Sequence, residues 1–306
     1  MEAVRFAVPN DTVLISDGGL ATELEAAGFD LTDPLWSARL LLDAPRSITA
    51  AHERFFRSGA QIATTASYQA SFPGFAARGL DAEQTAELLR RSVNLARAAA
   101  TTVDGHRWVA ASIGPYGAAL ADGSEYRGRY GLTATELTAW HRRRFEVLSA
   151  AGPDVLACET VPDVVEAEAL AALVAEGELP AWLSFTVEGT RTRAGQPLAE
   201  AFAVAAEVDR IVAIGVNCCD PDDVLPAIAT ARAVTGKPVI VYPNSGERWA
   251  GRWTGPSRFR PGEAAAWVAA GARIVGGCCR VRPADIAALG RCLAGPAAGP
   301  TPTPNV

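Results

Sequence analysis

Eight short apolar or β-branched runs alternate with longer helical stretches along this chain, and small or polar residues gather after each run. The runs are Val13–Ser16, Gln61–Ser67, Trp108–Ile113, Val155–Cys158, Trp182–Val187, Ile211–Val216, Val239–Tyr242 and Ile274–Gly276. Each has the length and the Val, Ile, Thr and aromatic content of a strand. Helical spacing fills the intervals: about Ala44 to Ser58, Ala82–Ala100, Thr133–Ala150, Pro162–Ala175, Leu198–Val208, Pro221–Val234, Pro261–Ala270 and Pro283–Cys292. Thr133 and Glu136 have capping-box spacing, and proline opens several of the other helices. Alternation of this kind implies a parallel sheet. Eight units in 306 residues suggest one α/β domain, a closed (β/α)8 TIM-type barrel over residues 1–294. A doubly wound sheet is the alternative, but no G-x-G-x-x-G follows the first run. The proline-rich stretch Gly295–Val306 reads as a disordered tail.

Composition narrows the function classes. Apolar residues make up 49% and charged residues 20%, which excludes a disordered chain. No run of 18 apolar residues exists, so no membrane span is expected. The net charge of −6 comes with no basic stripe, so nucleic acid is not an expected partner. The opening residues lack a basic stretch followed by an apolar one, so a cytoplasmic protein is expected. Nothing in the sequence sets the oligomeric state. Two long connections, Gly114–Leu132 and Asn244–Arg260, are rich in Gly with Tyr or Trp. Both would leave the C-terminal rim of the barrel and could cover a small substrate there.

Four of the six cysteines form two adjacent pairs, Cys218–Cys219 and Cys278–Cys279. They end the sixth and eighth runs, in GVNCC and GGCCR. In a barrel those two strand ends share one rim, so the pairs can meet in space. One reading is that they are small buried residues. The other is a metal site. Three thiolates would leave a zinc ion with an open position, as catalytic sites require, whereas four would close it as a structural site. Neighbours on a strand point oppositely, so at most one of Cys218 and Cys219 should reach a metal. Both Cys278 and Cys279 can do so only if the chain turns, which Gly276 and Gly277 would permit. Three thiolates on Zn²⁺ carry a net charge of −1. Such a centre suits the deprotonation of an incoming thiol better than the activation of water.

The motifs DGGLATEL at Asp17–Leu24, TTASYQAS at Thr64–Ser71, ASIGPYGAALADGSEYRGRYG at Ala111–Gly131, ETVP at Glu159–Pro162, GVNCC, YPNSGE and GGCCR resemble the zinc-dependent homocysteine S-methyltransferases. The resemblance runs from about residue 10 to 293, and the long connection after the third strand is similar to that of the S-methylmethionine branch. It implies a homocysteine-binding barrel with Zn²⁺ held by Cys218, Cys278 and Cys279, and it leaves Cys219 without a ligand role. It also implies that Asp17 and Glu159 bind the amino group of homocysteine. Without it, Asp17 reads as a turn residue, and Glu159 stays open between a ligand-binding carboxylate and a solvated helix-end charge. The carboxylate would suit backbone amides near Gly18 and Thr65. Asn217 is either an amide that orients the loop or a plain turn residue.

The expected activity is methyl transfer from a sulfonium, S-methylmethionine or S-adenosylmethionine, to L-homocysteine, giving methionine. Small molecules are therefore the expected partners. The alternatives are a non-catalytic barrel with a four-cysteine structural zinc, and a methyltransferase for selenohomocysteine or another small thiol. Trp249, Trp253, Tyr116, Tyr126 and Tyr130 are candidates to face the sulfonium by cation–π contact. His52, His106 and His141 read as surface or packing residues. Cys158 and Cys292 read as small buried ones.

Overall fold

The computed structural model describes residues 5–249 and 253–294. The expected tail, Gly295–Val306, lies outside them. Eight parallel strands make the barrel: β1 Leu14–Ile15, β2 Ile62–Thr64, β3 Trp108–Ile113, β4 Val155–Val161, β5 Ala181–Phe185, β6 Ile211–Asn217, β7 Val239–Tyr242 and β8 Ala272–Val275. Each pairs with its sequence neighbours, and β1 pairs with β8. Closure between β1 and β2 is slight. It rests on one parallel bridge, Ser16 with Ile62, and on the Gln61 amide, which donates to the Ile15 carbonyl at 2.7 Å. The (β/α)8 barrel expected from the alternation is the fold.

The strands bury both faces, because helices wrap a parallel barrel. Leu14, Ile62, Ala110, Val155, Trp182, Ala213, Ile240 and Ile274, one from each strand, fill the interior. Phe6 joins that cluster, with its ring edge-on to Trp108 at 5.3 Å. Alternate residues such as Val109, Ala111 and Ile113 pack outward against the helices.

Nine helices of the wrapping layer position the site: α1 Leu20–Ala26, α2 Pro45–Arg57, α3 Ala82–Ala100, α4 Ala134–Ala150, α5 Val164–Glu176, α6 Leu198–Ala203, α7 Val224–Thr235, α8 Ala264–Ala270 and α9 Pro283–Ala294. The Thr133 capping box is formed, with Glu136 N donating to Thr133 Oγ1 and Thr133 N to Glu136 Oε2. Several boundaries differ from the sequence reading. α6 stops at Ala203 because the next turns close three-residue bonds, Ala205 N to Phe202 O and Ala206 N to Ala203 O. Pro221 and Pro261 open single 3₁₀ turns ahead of α7 and α8. β4 runs on through Val161, and its register with β5 shifts between Cys158 and Val161. This bulge, with Thr160 at φ 59°, matters for the site.

Candidate metal centre

A cavity of about 100 Å³ opens among the C-terminal ends of the strands. Its wall includes Asp17 and Gly18 after β1, Thr64 and Thr65 at the end of β2, Glu159 on β4, Cys218 after β6, Tyr242 on β7, and Cys278 and Cys279 after β8. The sulfurs of Cys218, Cys278 and Cys279 all lie within 4.8 Å of one another. Cys218 Sγ is 3.3 Å from Cys278 Sγ and 3.6 Å from Cys279 Sγ. A tetrahedral metal with sulfur bonds of about 2.3 Å would space its sulfurs by about 3.8 Å. The soft donor set and these separations therefore fit a thiophilic metal ion.

Two different turns bring the sulfurs together. Cys218 adopts a left-handed backbone conformation, φ 51°, at the end of β6. Its sulfur faces the cavity, while Cys219 is 1% exposed within the apolar layer between barrel and helices. Cys158 lies in the same layer and Cys292 is exposed on α9. Among the described residues no fourth cysteine joins the three, so a four-cysteine arrangement is not formed there. At the other pair the sequence reading assigned the turn to the flexibility of Gly276 and Gly277. Neither glycine has a positive φ, and the left-handed residue is Arg280, φ 68°. Gly277 is needed for close approach instead, because a Cβ there would stand 2.2 Å from the Val281 side chain. The Cys278 amide donates to Pro243 O at 2.8 Å and the Cys279 amide to Asn244 Oδ1 at 3.0 Å, which fixes both cysteines against the β7 loop.

Hydrogen bonds from the neighbouring thiols pull the Cys218 thiol well below its usual range. Those from Cys278 and Cys279 act most, and Tyr126 and Asn244 add to them. The Tyr126 hydroxyl lies 3.2 Å from Cys218 Sγ. The hydrogen bonds to Cys218 push the Cys278 and Cys279 thiols up, acting most in each.

Opposite the sulfurs stand two buried carboxyls. Asp17 accepts from the Thr64 amide at 2.8 Å and the Thr64 hydroxyl at 3.1 Å. Glu159 accepts from the Ser112 hydroxyl and from the Tyr242 hydroxyl, the latter at 3.1 Å. Burial nonetheless pushes each of them up to about 7, and the negative charge of Asp17 adds to the effect at Glu159. Two acids facing one cavity with raised values suit the arrival of a cation. Glu159 lies within β4, not after it, and strand alternation puts it on the interior face with Val155 and Ala157, directly before the bulge at Thr160. Asn217 holds that bulge. Its Oδ1 accepts from the Thr160 amide at 2.8 Å and the Ser184 hydroxyl at 2.8 Å, and its Nδ2 donates to Thr160 Oγ1 at 2.7 Å. It does not line the cavity, and of the two readings offered by the sequence these bonds make it an orienting amide.

Thr65 needs a further correction. Its amide is committed to Ala110 O at 3.0 Å, as part of the barrel ladder. Among the described residues, the Gly18 and Ala66 amides meet no protein acceptor at the cavity wall. Of the five aromatic candidates, only Tyr126 lines the cavity. Tyr116 packs against Tyr130 and Trp140, each at 5.1 Å, and Trp249 pairs with Trp253 in a rim hairpin. Trp36, Tyr68 and Tyr242 line the wall without having been singled out in the sequence. His52 and His141 are both fully buried and outside the cavity.

A closed barrel with three thiols and two buried carboxyls at its C-terminal mouth has its chemistry where barrel enzymes keep their active sites. The sequence profile of the homocysteine S-methyltransferase family matches residues 14–293. A homocysteine S-methyltransferase of Escherichia coli (strain K12) is 45% identical over 302 residues, covering 94% of this chain and 97% of its own. A selenocysteine Se-methyltransferase of Brassica oleracea var. italica is 41% identical, covering 90% of this chain and 87% of its own. The crystal structure of the homocysteine methyltransferase MmuM from Escherichia coli, in its metallated form, superposes with a TM-score of 0.83 at 45% identity, covering 91% of this chain and 96% of that one. The chain belongs to the homocysteine S-methyltransferase family of enzymes.

Proposed function

We propose that this enzyme moves a methyl group from a sulfonium donor, S-methylmethionine or S-adenosylmethionine, to the thiol of L-homocysteine, giving methionine, with zinc held by Cys218, Cys278 and Cys279. The observation that carries this reading is the convergence of three thiols opposite two buried carboxyls on one small cavity. Zinc, when bound, supplies the positive charge that keeps an incoming thiol deprotonated near neutral pH. The protein's own groups do the positioning. Asp17 and Glu159 receive the homocysteine ammonium, whose charge compensates two carboxylates that burial otherwise protonates. The Gly18 and Ala66 amides face the substrate carboxylate. The acceptor sulfur is thereby aimed at the cysteine side of the cavity. The donor's S–CH3 bond breaks as the new C–S bond forms, and the donor leaves as a neutral thioether. A sulfonium carbon is already electrophilic, so in-line alignment of the two reactants is the main requirement.

The test is methionine formation from homocysteine with each sulfonium donor, before and after metal removal by chelator. Activity is expected to vanish with the metal and to return on adding zinc. Cys278→Ser is expected to lose metal and activity together. Full turnover in protein verified as metal-free would overturn the zinc reading. The Brassica relative supports a second acceptor class, amino acid selenols, and competition between homocysteine and selenohomocysteine separates the two.

A further inference from the structure

The connection between β3 and α4 reaches across the mouth and places Tyr126 against the thiol centre. Its ring is 38% exposed at the rim, yet its hydroxyl is turned inward, 3.2 Å from Cys218 Sγ. The residue it touches is conformationally unfavourable. Cys218 holds φ 51°, a region that side chains other than glycine's rarely adopt. Its backbone is fixed there by its amide donating to Tyr242 O at 3.2 Å and by Thr186 Oγ1 donating to its carbonyl at 3.2 Å. Its sulfur lies 3.3 Å from Cys278 Sγ and 3.6 Å from Cys279 Sγ, and the Tyr126 hydroxyl is its contact from the rim.

The loop that supplies this partner is clamped from beneath. Glu166, fully buried on α5, accepts from the Tyr116 amide and from His141 Nε2 at 2.9 Å through the same oxygen. Arg144, 2% exposed on α4, donates to His141 Nδ1 at 2.9 Å, to Gly114 O, and to Ala70 O at 3.4 Å. At the far end Asp163 accepts from the Arg129 amide at 2.8 Å. Gly117 closes the middle, since a Cβ there would lie 2.5 Å from the Glu125 amide nitrogen. The connection is thus held at both ends and packed across its centre, which keeps the Tyr126 hydroxyl at the Cys218 sulfur.

We infer that Tyr126 is a positioning residue of the metal centre: its hydroxyl donates to the Cys218 sulfur and presets that ligand, and the buried Glu166–His141–Arg144 clamp delivers it there. The inference rests on the reading that the three thiols hold a metal. A hydrogen bond to a ligand sulfur both orients it and draws off part of its charge. Its loss should weaken metal binding and change the sulfur-to-metal charge transfer without removing a ligand.

Zinc titration of the full-length apoprotein against a chromophoric chelator, with the Co²⁺ spectrum as a second readout, tests this. Tyr126→Phe is expected to bind one metal per chain, about 10-fold more weakly than the parent, at the lower end of the usual range for partners of metal ligands. Its sulfur-to-cobalt band should move while its thermal melt stays put. Glu166→Gln should move the same band in the same direction, and the double variant should bind no more weakly than the weaker single one. A Tyr126→Phe protein that matches the parent in affinity and in cobalt spectrum overturns the inference, whether or not Glu166→Gln folds. A parent that takes up no metal fails earlier, at the metal reading, and takes the inference with it.

Discussion

Asp17 and Glu159 ionise against the resistance of their surroundings, and the sign of the consequence can be worked out. Their ordinary values, 3.8 and 4.5, rise to about 7 in the folded chain, mainly through burial. An acid with a raised folded-state value keeps its proton longer when folded than when unfolded. The stability it contributes is whole below the unfolded value and falls as pH climbs through the folded one. Ligand-free enzyme should therefore lose thermal stability between about pH 4 and pH 7 through these two groups. Asp17→Asn should show a shallower fall across that window, and melting curves of both proteins at unit pH steps decide it. Parallel curves would mean that Asp17 titrates as an ordinary carboxyl. Substrate ammonium should oppose the loss, so homocysteine should raise the melting temperature more at pH 7 than at pH 5.

The bulge in β4 comes directly after Glu159, on the carboxylate side of the cavity. Thr160 sits at φ 59° with its amide and hydroxyl both held by Asn217 across β5. Asn217→Ala would leave the buried Thr160 amide and Ser184 hydroxyl without that acceptor, at a cost of about 2–3 kcal/mol. We expect that loss in denaturant melts, together with a raised homocysteine KM and an unchanged metal content. An unaltered KM would separate the bulge from substrate binding. This bulge was not legible in the sequence, because the apolar run ends at Cys158, ETVP reads as the polar connection after it, and nothing local marks a change of register. The alternation of runs and helices was legible, since it follows from periodicity alone, and so was the clustering of polar residues at strand ends. The partners of the carboxyls were not: Thr64 is 47 residues from Asp17 and Tyr242 is 83 from Glu159. Arg144 and His141 lie in the run HRRR, which by itself reads as a solvated helix face. Only barrel closure, with α4 and α5 side by side, shows that two of its four residues are buried against Glu166. The Thr65 amide misled for a related reason, because ladder bonding is decided by the adjacent strand.

At the scale of the whole molecule the barrel has one thin seam. β4 and β5 pair through four register positions and β5 and β6 through five, whereas β1 meets β2 at the Ser16–Ile62 bridge alone. Few ladder bonds leave the Gln61 and Ile15 amides dependent on local opening, so they should exchange with solvent much faster than the amides of β4 and β5. The site spans this seam. Asp17 follows β1 and takes its hydrogen bonds from Thr64 at the end of β2, and Cys278 follows β8 on the other side of β1. A ligand that joins the cysteines to Asp17 and Glu159 ties β1 to β8 and β4, so opening the seam would release it. At a concentration 100 times its dissociation constant such a ligand adds about 2.7 kcal/mol to that opening, which is roughly a 100-fold slowing. Hydrogen exchange with zinc and homocysteine should thus slow the Gln61 and Ile15 amides far more than those in the middle of β4 and β5, where only global unfolding admits solvent. Equal protection of seam and middle in the ligand-free enzyme, or equal slowing of both on binding, would show that the barrel opens as one unit and that its mouth does not lock the seam.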